Sequence, residues 1–412
     1  MWQQPWGYRE GLIIGLGLFV TGILLQLSIG GIDWSLISFP VNVILGIGLV
    51  LVVVAMHLLR GRIHLFRWLS SYQAAVASLL WVGGITIVMG LTKQMPSGHS
   101  AVDPLGFSQM IASWPFTLLY LWLVLALCLA TVRVGWPRQW RQVPFFLNHA
   151  GLIIALVAGV LGNADMQRLK MTCKIGQAEW RATDESGQLV ELPLAIELQH
   201  FQIDEYPPKL MVISNDSGKT LPEGNPQHLF LEDSLASGKL LEWEIQVTAS
   251  IPMAGSMVTE DTIRFVDFQS MGGTYAAHIE ATNKQTGERK TGWVSAGSFV
   301  FPYKPLRLDS LTSLVMPERE PRRYASLVKV YTQEQTITEG TIEVNRPIKI
   351  SGWKIYQLSY DETKGRWSDV SVFELVRDPW LPIVYVGIGM LMLGAIGLFI
   401  NAQRRKDKEE AL

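Results

Sequence analysis

Long apolar runs separated by short polar segments dominate the first part of the chain, and one more such run lies near its end. A helix needs about 20 apolar residues to cross a hydrocarbon core of roughly 30 Å. Because lipid offers backbone amides no partner, such runs fold as helices. The pattern predicts six membrane-spanning helices, at Gly11–Ile29, Leu36–Leu59, Ala74–Leu91, Pro115–Val132, Phe145–Leu161 and Leu381–Ile400.

A different pattern fills the stretch between the fifth and sixth apolar runs. Short segments such as "KLLEWEIQVTASIPM" and "YASLVKVY" alternate apolar and polar residues and are separated by Gly, Asn, Asp and Pro. Period-two alternation with β-branched and aromatic residues is typical of strands. With no helical stretch between them, about ten such runs favour an antiparallel sandwich or open barrel.

These two patterns predict a membrane protein with six transmembrane α-helices and a large, predominantly antiparallel β domain. We expect a five-helix bundle at residues 1–164, the β-rich domain at 165–378, a last transmembrane helix at 379–401 and a charged tail at 402–412.

Basic residues mark one side of the membrane. Formal net charge is −1, which favours no nucleic-acid partner. Arginines follow the second, fourth and sixth apolar runs, for example Arg60, Arg133 and Arg404. The loops on the opposite side, after the first and third runs, hold only Lys93. By the positive-inside rule, both termini are cytoplasmic. The β domain is then exported, which in a bacterial inner membrane means that it is periplasmic.

Few residues of the β domain suggest catalysis. The sequence has no GxSxG, HExxH or phosphate-loop motif, and His200, His228 and His278 are widely spaced. Its two cysteines, Cys128 and Cys173, do not form a CxxC motif, so thiol exchange and an internal disulfide are not expected. We predict no catalytic residue and no metal site in this domain.

Histidines at the membrane are the best candidates for chemistry, since an imidazole in a transmembrane helix is costly and by default functional. His149 begins the fifth helix and His57 ends the second, so the topology puts both near the cytoplasmic face. Two imidazoles at one depth could ligate haem iron. Either could instead be a boundary residue bound to water or headgroups. His99, in the second outer loop, is a weaker external ligand candidate or a simple loop residue.

The fifth helix and its exit, "LNHAGLIIALVAGVLGNADMQRLK", resemble the helix that enters the exported domain of ResB/CcsB cytochrome c biogenesis proteins. "IELQHFQIDEYPPK" is similar to an early strand of that family, and "IEVNRPIKISGWKIYQLSYD" to a later paired segment. "DPWLPIVYVGIGMLMLGAIGLFI" is similar to its closing helix. The resemblance covers roughly residues 145–400, in the same order throughout.

The resemblance implies a subunit of the system II pathway. Such a protein works with CcsA to export haem b and to support its covalent attachment to apocytochrome c outside the membrane. His149 matches the family's transmembrane haem ligand, whereas His57 and His99 have no family counterpart. The chain lacks the tryptophan-rich loop of CcsA and is not expected to be a complete cytochrome c synthase. It also has five helices before the exported domain, where the common pattern has three.

Two other functions remain open from the sequence. The chain could be a membrane electron carrier in which His57 and His149 hold a permanent b-type haem. It could also be a structural anchor for an exported assembly that binds no haem. The expected partners are a CcsA-like haem-handling protein, apocytochrome c and membrane lipid.

Overall fold

The computed structural model describes residues 2, 4–95, 101–134, 140–232, 235–259 and 262–410. By its internal contacts the chain divides into two units. The helical unit comprises Met1–Leu169, Thr183–Gln188 and Val376–Leu412, and the β-rich unit comprises Lys170–Ala182 and Leu189–Leu375. Each unit has its own hydrophobic core.

The helical unit contains seven α-helices among its described residues: α1 Tyr8–Ile29, α2 Val41–Leu59, α3 His64–Leu69, α4 Tyr72–Leu91, α5 Trp114–Val134, α6 Val143–Asn163 and α7 Leu381–Glu410. All except α3 are long and apolar enough to span a membrane, α7 through Leu381–Gln403. The six predicted transmembrane helices are therefore confirmed. α2 begins at Val41 rather than at Leu36, because a 3-10 turn, Trp34–Ile37, and Pro40 precede it.

Local sequence fixes several of the helix ends. The Glu10 carboxylate accepts a hydrogen bond from the Gly7 N–H at the start of α1 (2.8 Å). The Asp378 side chain accepts one from the Leu381 N–H (2.9 Å) at the start of α7. Both contacts satisfy amide groups that the first turn of a helix leaves without a partner. Gly30 follows the last residue of α1, and its φ of +78° suits glycine.

α5 is the most buried of the six spanning helices, with half of its central segment inside the unit. Leu119 and Leu129 on α5 are fully buried in the core of this unit. α6 and α7 form the tightest pair. A Cβ on Gly151 of α6 would lie 2.5 Å from the Gly387 carbonyl oxygen of α7. Glycine at these positions therefore lets the two backbones touch, as is common between membrane helices.

The β-rich strands are β1 Gln167–Lys174, β2 Ala178–Thr183, β3 Leu189–Glu205, β4 Lys209–Ser214, β5 His228–Phe230, β6 Ser237–Leu240, β7 Trp243–Thr259, β8 Thr262–Asp267, β9 Thr274–Asn283, β10 Arg289–Ser295, β11 Leu306–Arg307, β12 Thr312–Val315, β13 Pro321–Thr332, β14 Ile337–Glu343, β15 Ile348–Ile350, β16 Trp353–Tyr360 and β17 Val370–Arg377. They form an eight-stranded sheet, β14-β13-β3-β2-β1-β17-β16-β15, and two smaller sheets.

The smaller sheets are a four-stranded one, β11-β12-β4-β5, and a five-stranded one in which β8 pairs with β7 beside the order β10-β9-β7-β6. The longest pairings, β13 with β3 and β7 with β9, are antiparallel. The predicted antiparallel β domain is therefore confirmed. The strands of this unit are arranged in three sheets, and its apolar residues form the core of the unit.

Candidate functional site

His149 lies in the second turn of α6 and is half-buried. Its Nδ1 is 3.0 Å from the carbonyl oxygen of Phe145, one turn earlier, and the two rings are 3.9 Å apart between centroids. A carbonyl oxygen can only accept, so the proton is on Nδ1. Among the described residues Nε2 has no partner, and in this tautomer it carries the free lone pair. A histidine ligand to a metal typically has this arrangement.

The face of α6 that bears His149 is not the face that packs on α7. Asn148 donates a hydrogen bond from Nδ2 to the Leu391 carbonyl oxygen of α7 (3.2 Å). Gly151 lies on the same side, against Gly387. With 3.6 residues per turn, His149 is rotated by about 100° from Asn148. Ile153, one turn after His149, packs against the core of the bundle. The imidazole therefore points away from α7.

His57 occupies the last turn of α2 and is also half-buried. Its Nδ1 is 3.5 Å from Nη1 of Arg60. A guanidinium only donates, so this contact favours the tautomer whose proton is on Nε2. That tautomer leaves no free lone pair on Nε2 for a metal, and the adjacent cation opposes another positive charge. His57 is thus less suited to iron than His149.

The two imidazoles lie toward the same end of the helical unit. Asn42, near the start of α2, donates from Nδ2 to the Leu161 carbonyl oxygen near the end of α6 (3.1 Å), so these helices run in opposite directions. At 1.5 Å per residue, His57 is about 22 Å from Asn42 and His149 about 18 Å from Leu161. No contact between the two imidazoles occurs among the described contacts.

The other histidines do not join this site. His99 lies outside the described residues. His64 begins α3 beside the Trp6 ring, at 4.9 Å between centroids, and its Nδ1 is buried without a partner in the described part of the chain. In the β-rich unit, the Thr248 hydroxyl and His278 Nδ1 are 2.6 Å apart. No group of three or more His, Cys, Asp or Glu able to hold a metal ion is found within the described ranges.

A polar contact at the opposite end of α6 joins residues that no sequence motif connects. Asp165, just after α6, accepts three hydrogen bonds of 2.7 Å each: from the Phe39 N–H at Oδ1, and from Asn42 Nδ2 and Trp380 Nε1 at Oδ2. Partial burial alone would raise the pKa of Asp165, but these hydrogen bonds hold it below its ordinary value. The carboxylate therefore ties α2 and α7 to α6.

Comparison with known proteins gives one family match. Residues 281–370, within the β-rich unit, match the model of the ResB-like family. No curated protein matches the sequence.

Among solved structures, the chain is similar to one titled "Cytochrome c Heme Lyase CcmF", with a TM-score of 0.22 and 12% identity. The alignment covers 96% of this chain and 46% of that chain, so this chain spans under half the length of that protein. The family match bears out the resemblance to ResB proteins over residues 281–370, which lie within the β-rich unit.

Proposed function

We propose that this chain is a haem-handling subunit of a cytochrome c biogenesis system, with Nε2 of His149 as an axial ligand to the iron. The ResB-like match supports a role in cytochrome c biogenesis. The observation that carries the finer proposal is the hydrogen bond between His149 Nδ1 and the Phe145 carbonyl oxygen, which leaves Nε2 free.

Haem b is the substrate in this proposal, and this chain holds it for transfer. A neutral imidazole ligates haem iron through one nitrogen, and a carbonyl partner on the other nitrogen orients the ring. The reaction served is thioether formation, in which a thiol S–H adds across a haem vinyl group, so that C–S and C–H bonds form without net oxidation. The thiols come from apocytochrome c, because this chain has no CxxC motif.

The second axial ligand comes from a CcsA-like partner. His57 is the other candidate within this chain, but the guanidinium of Arg60 faces its Nδ1. Nε2 of His149 has no partner among the described residues, and the imidazole is only half-buried, so a partner helix can approach it. A site completed by two chains suits temporary binding of a substrate better than permanent binding of a cofactor.

The proposed membrane topology puts the two parts of the chain on the sides where haem is collected and attached. The distribution of arginines supports cytoplasmic termini and a periplasmic β-rich unit in a bacterial inner membrane. His149 then lies near the cytoplasmic side, where haem is collected. The β-rich unit lies on the side where apocytochrome c is met, and we propose that it docks the partner or the apoprotein.

Co-expression tests this proposal directly. The full chain is purified with and without a CcsA-like partner, and bound haem is measured by absorbance for wild type, His149→Ala and His57→Ala. We expect bound haem and holocytochrome yield to fall at least about tenfold in His149→Ala, with partial rescue of haem by added imidazole. His57→Ala is the matched control and should retain most of both.

The outcomes separate the alternatives. Unchanged haem and holocytochrome yield in His149→Ala would refute the ligand assignment. Stoichiometric haem in the chain expressed alone, lost equally in both variants, would favour a permanent b-type haem between His57 and His149. Absence of haem under every condition would favour a structural anchor.

A further inference from the structure

A cavity of about 290 Å³ lies within the helical unit, between the end of α1 and the loop that precedes α5. It is separate from His149 and from the Asp165 contact. Three polar side chains line it, those of Gln26, Asp33 and Gln109, together with small and apolar residues. α1 ends at Ile29 and α5 begins at Trp114, so the cavity lies where two spanning helices leave the membrane.

Gln26 is the polar group at the buried side of this cavity. Its side chain is only 7% exposed, although it lies within a membrane-spanning helix. The Oε1 atom accepts a hydrogen bond from the Trp114 N–H (3.3 Å), whereas Nε2 donates to no acceptor among the described residues. Nε2 is not among the buried polar atoms without a partner, so it is accessible from the cavity. Its N–H groups can therefore donate to an acceptor that enters the cavity.

Gly106 keeps the space in front of that amide open. Its φ is +75°, and a Cβ there would lie 2.7 Å from Nε2 of Gln26. Any larger residue would be strained in its backbone and would also press on the amide. This position thus preserves access to the N–H groups.

Asp33 places a negative charge at the rim of the cavity. Its Oδ1 accepts hydrogen bonds from the Ser35 N–H (2.9 Å) and hydroxyl (2.7 Å), while Oδ2 has no partner among the described residues. The Ser35 hydroxyl and N–H lower the pKa of Asp33, so it is anionic at neutral pH. Of the described residues that line the cavity, only Asp33 is ionisable. An anion alone would be repelled here.

We propose that this cavity binds the headgroup of a phosphatidylethanolamine lipid. A phosphate or ester oxygen accepts from the Gln26 amide, and the primary ammonium donates to Asp33. Both groups are fixed on one molecule whose depth in the bilayer matches the ends of α1 and α5. A choline headgroup carries the same phosphate and charge, but its quaternary nitrogen has no N–H to donate. The site should therefore distinguish these two lipids.

The test uses the full chain in nanodiscs with equal amounts of phosphatidylethanolamine and phosphatidylcholine in a constant background of phosphatidylglycerol. Lipids retained after mild detergent extraction are counted by native mass spectrometry. We expect wild type to retain phosphatidylethanolamine over phosphatidylcholine by about tenfold, as for one charged hydrogen bond. Asp33→Asn, which keeps the contact to Ser35, should abolish the preference. Gln26→Met should weaken retention of the lipid.

Asp184→Asn is the matched control. Asp184 binds the N–H and hydroxyl of Ser186 as Asp33 binds those of Ser35, but in a hairpin turn away from the cavity. Asp184→Asn should leave the preference for phosphatidylethanolamine unchanged. Equal retention of the two lipids by wild type, or an unchanged preference in Asp33→Asn, would overturn the proposal. Displacement of the lipid by millimolar soluble phosphoethanolamine would also overturn it, in favour of a soluble ligand.

Discussion

Removing the Asp165 carboxylate should strongly destabilise the helical unit, because it accepts three hydrogen bonds. Asp165→Ala deletes the acceptor of three hydrogen bonds, each 2.7 Å long, from Phe39, Asn42 and Trp380. Asn42 is fully buried, and its Nδ2 would keep only the bond to the Leu161 carbonyl oxygen. The change therefore removes three attractive contacts and also leaves one N–H of the buried Asn42 amide without its acceptor.

The magnitude follows from the kind of bond. A hydrogen bond to a charged group contributes about 1.5–3 kcal/mol, and losses at neighbouring contacts are not additive. Because Asp165 is half-buried, we use the lower end of this range and expect the free energy of unfolding to fall by about 3–4 kcal/mol in Asp165→Ala. Trp380→Phe removes one donor and should cost roughly a third as much.

Thermal unfolding of the full chain in detergent, followed by tryptophan fluorescence, measures this loss. At about 2–4 °C per kcal/mol for a unit of this size, the midpoint should fall by roughly 6–16 °C in Asp165→Ala. Asp184→Ala is the control, since Asp184 forms exposed hairpin contacts and should shift the midpoint by less than about 2 °C. If the two variants unfolded at the same temperature, the assigned role of Asp165 would be wrong.

Three more predictions follow from single residues. Hydrogen bonds hold the pKa of Asp165 below 3.8, so its stabilisation is present above that value and is lost as the pH falls through the folded-state pKa. The difference in midpoint between wild type and Asp165→Ala should therefore shrink as the pH is lowered below 3.8. Cys173 is fully buried, and burial raises the pKa of its thiol to about 12, so maleimide should label it only after denaturation, unlike an exposed Ser217→Cys. Gly151→Ala should lower the midpoint, because the new Cβ would meet the backbone of α7 at 2.5 Å, whereas Gly159→Ala, with nothing within 4 Å, should not.

Much of the fold could be predicted from the sequence, because the forces that decide it act on local patterns. Apolar length alone identified the six spanning helices, and period-two alternation identified the strands. The start of α2 was misplaced by five residues because Leu36 and Ile37 are apolar, yet they form a 3-10 turn ahead of Pro40. Hydropathy does not distinguish such a turn from a helix.

The candidate site was only partly predictable. The sequence identified His149 and His57 because an imidazole is costly in a membrane, but it could not show which of them suits iron better. That depends on the tautomer, which is set by the partner of each Nδ1: the Phe145 carbonyl oxygen for His149 and the Arg60 guanidinium for His57. The contact between Asp165 and Trp380 joins residues 215 positions apart, so no local rule could connect them.

α6 brings these features together and allows the two kinds of defect to be separated. One of its faces presents His149, another packs on α7 through Gly151, and Asp165 follows its end. The direction in which the imidazole points thus depends on contacts far from the imidazole itself. Changes at Gly151 or Asp165 should lower both the unfolding midpoint and the amount of bound haem, because they allow α6 to rotate. His149→Ala leaves those contacts in place, so it should remove haem while the midpoint stays near that of wild type.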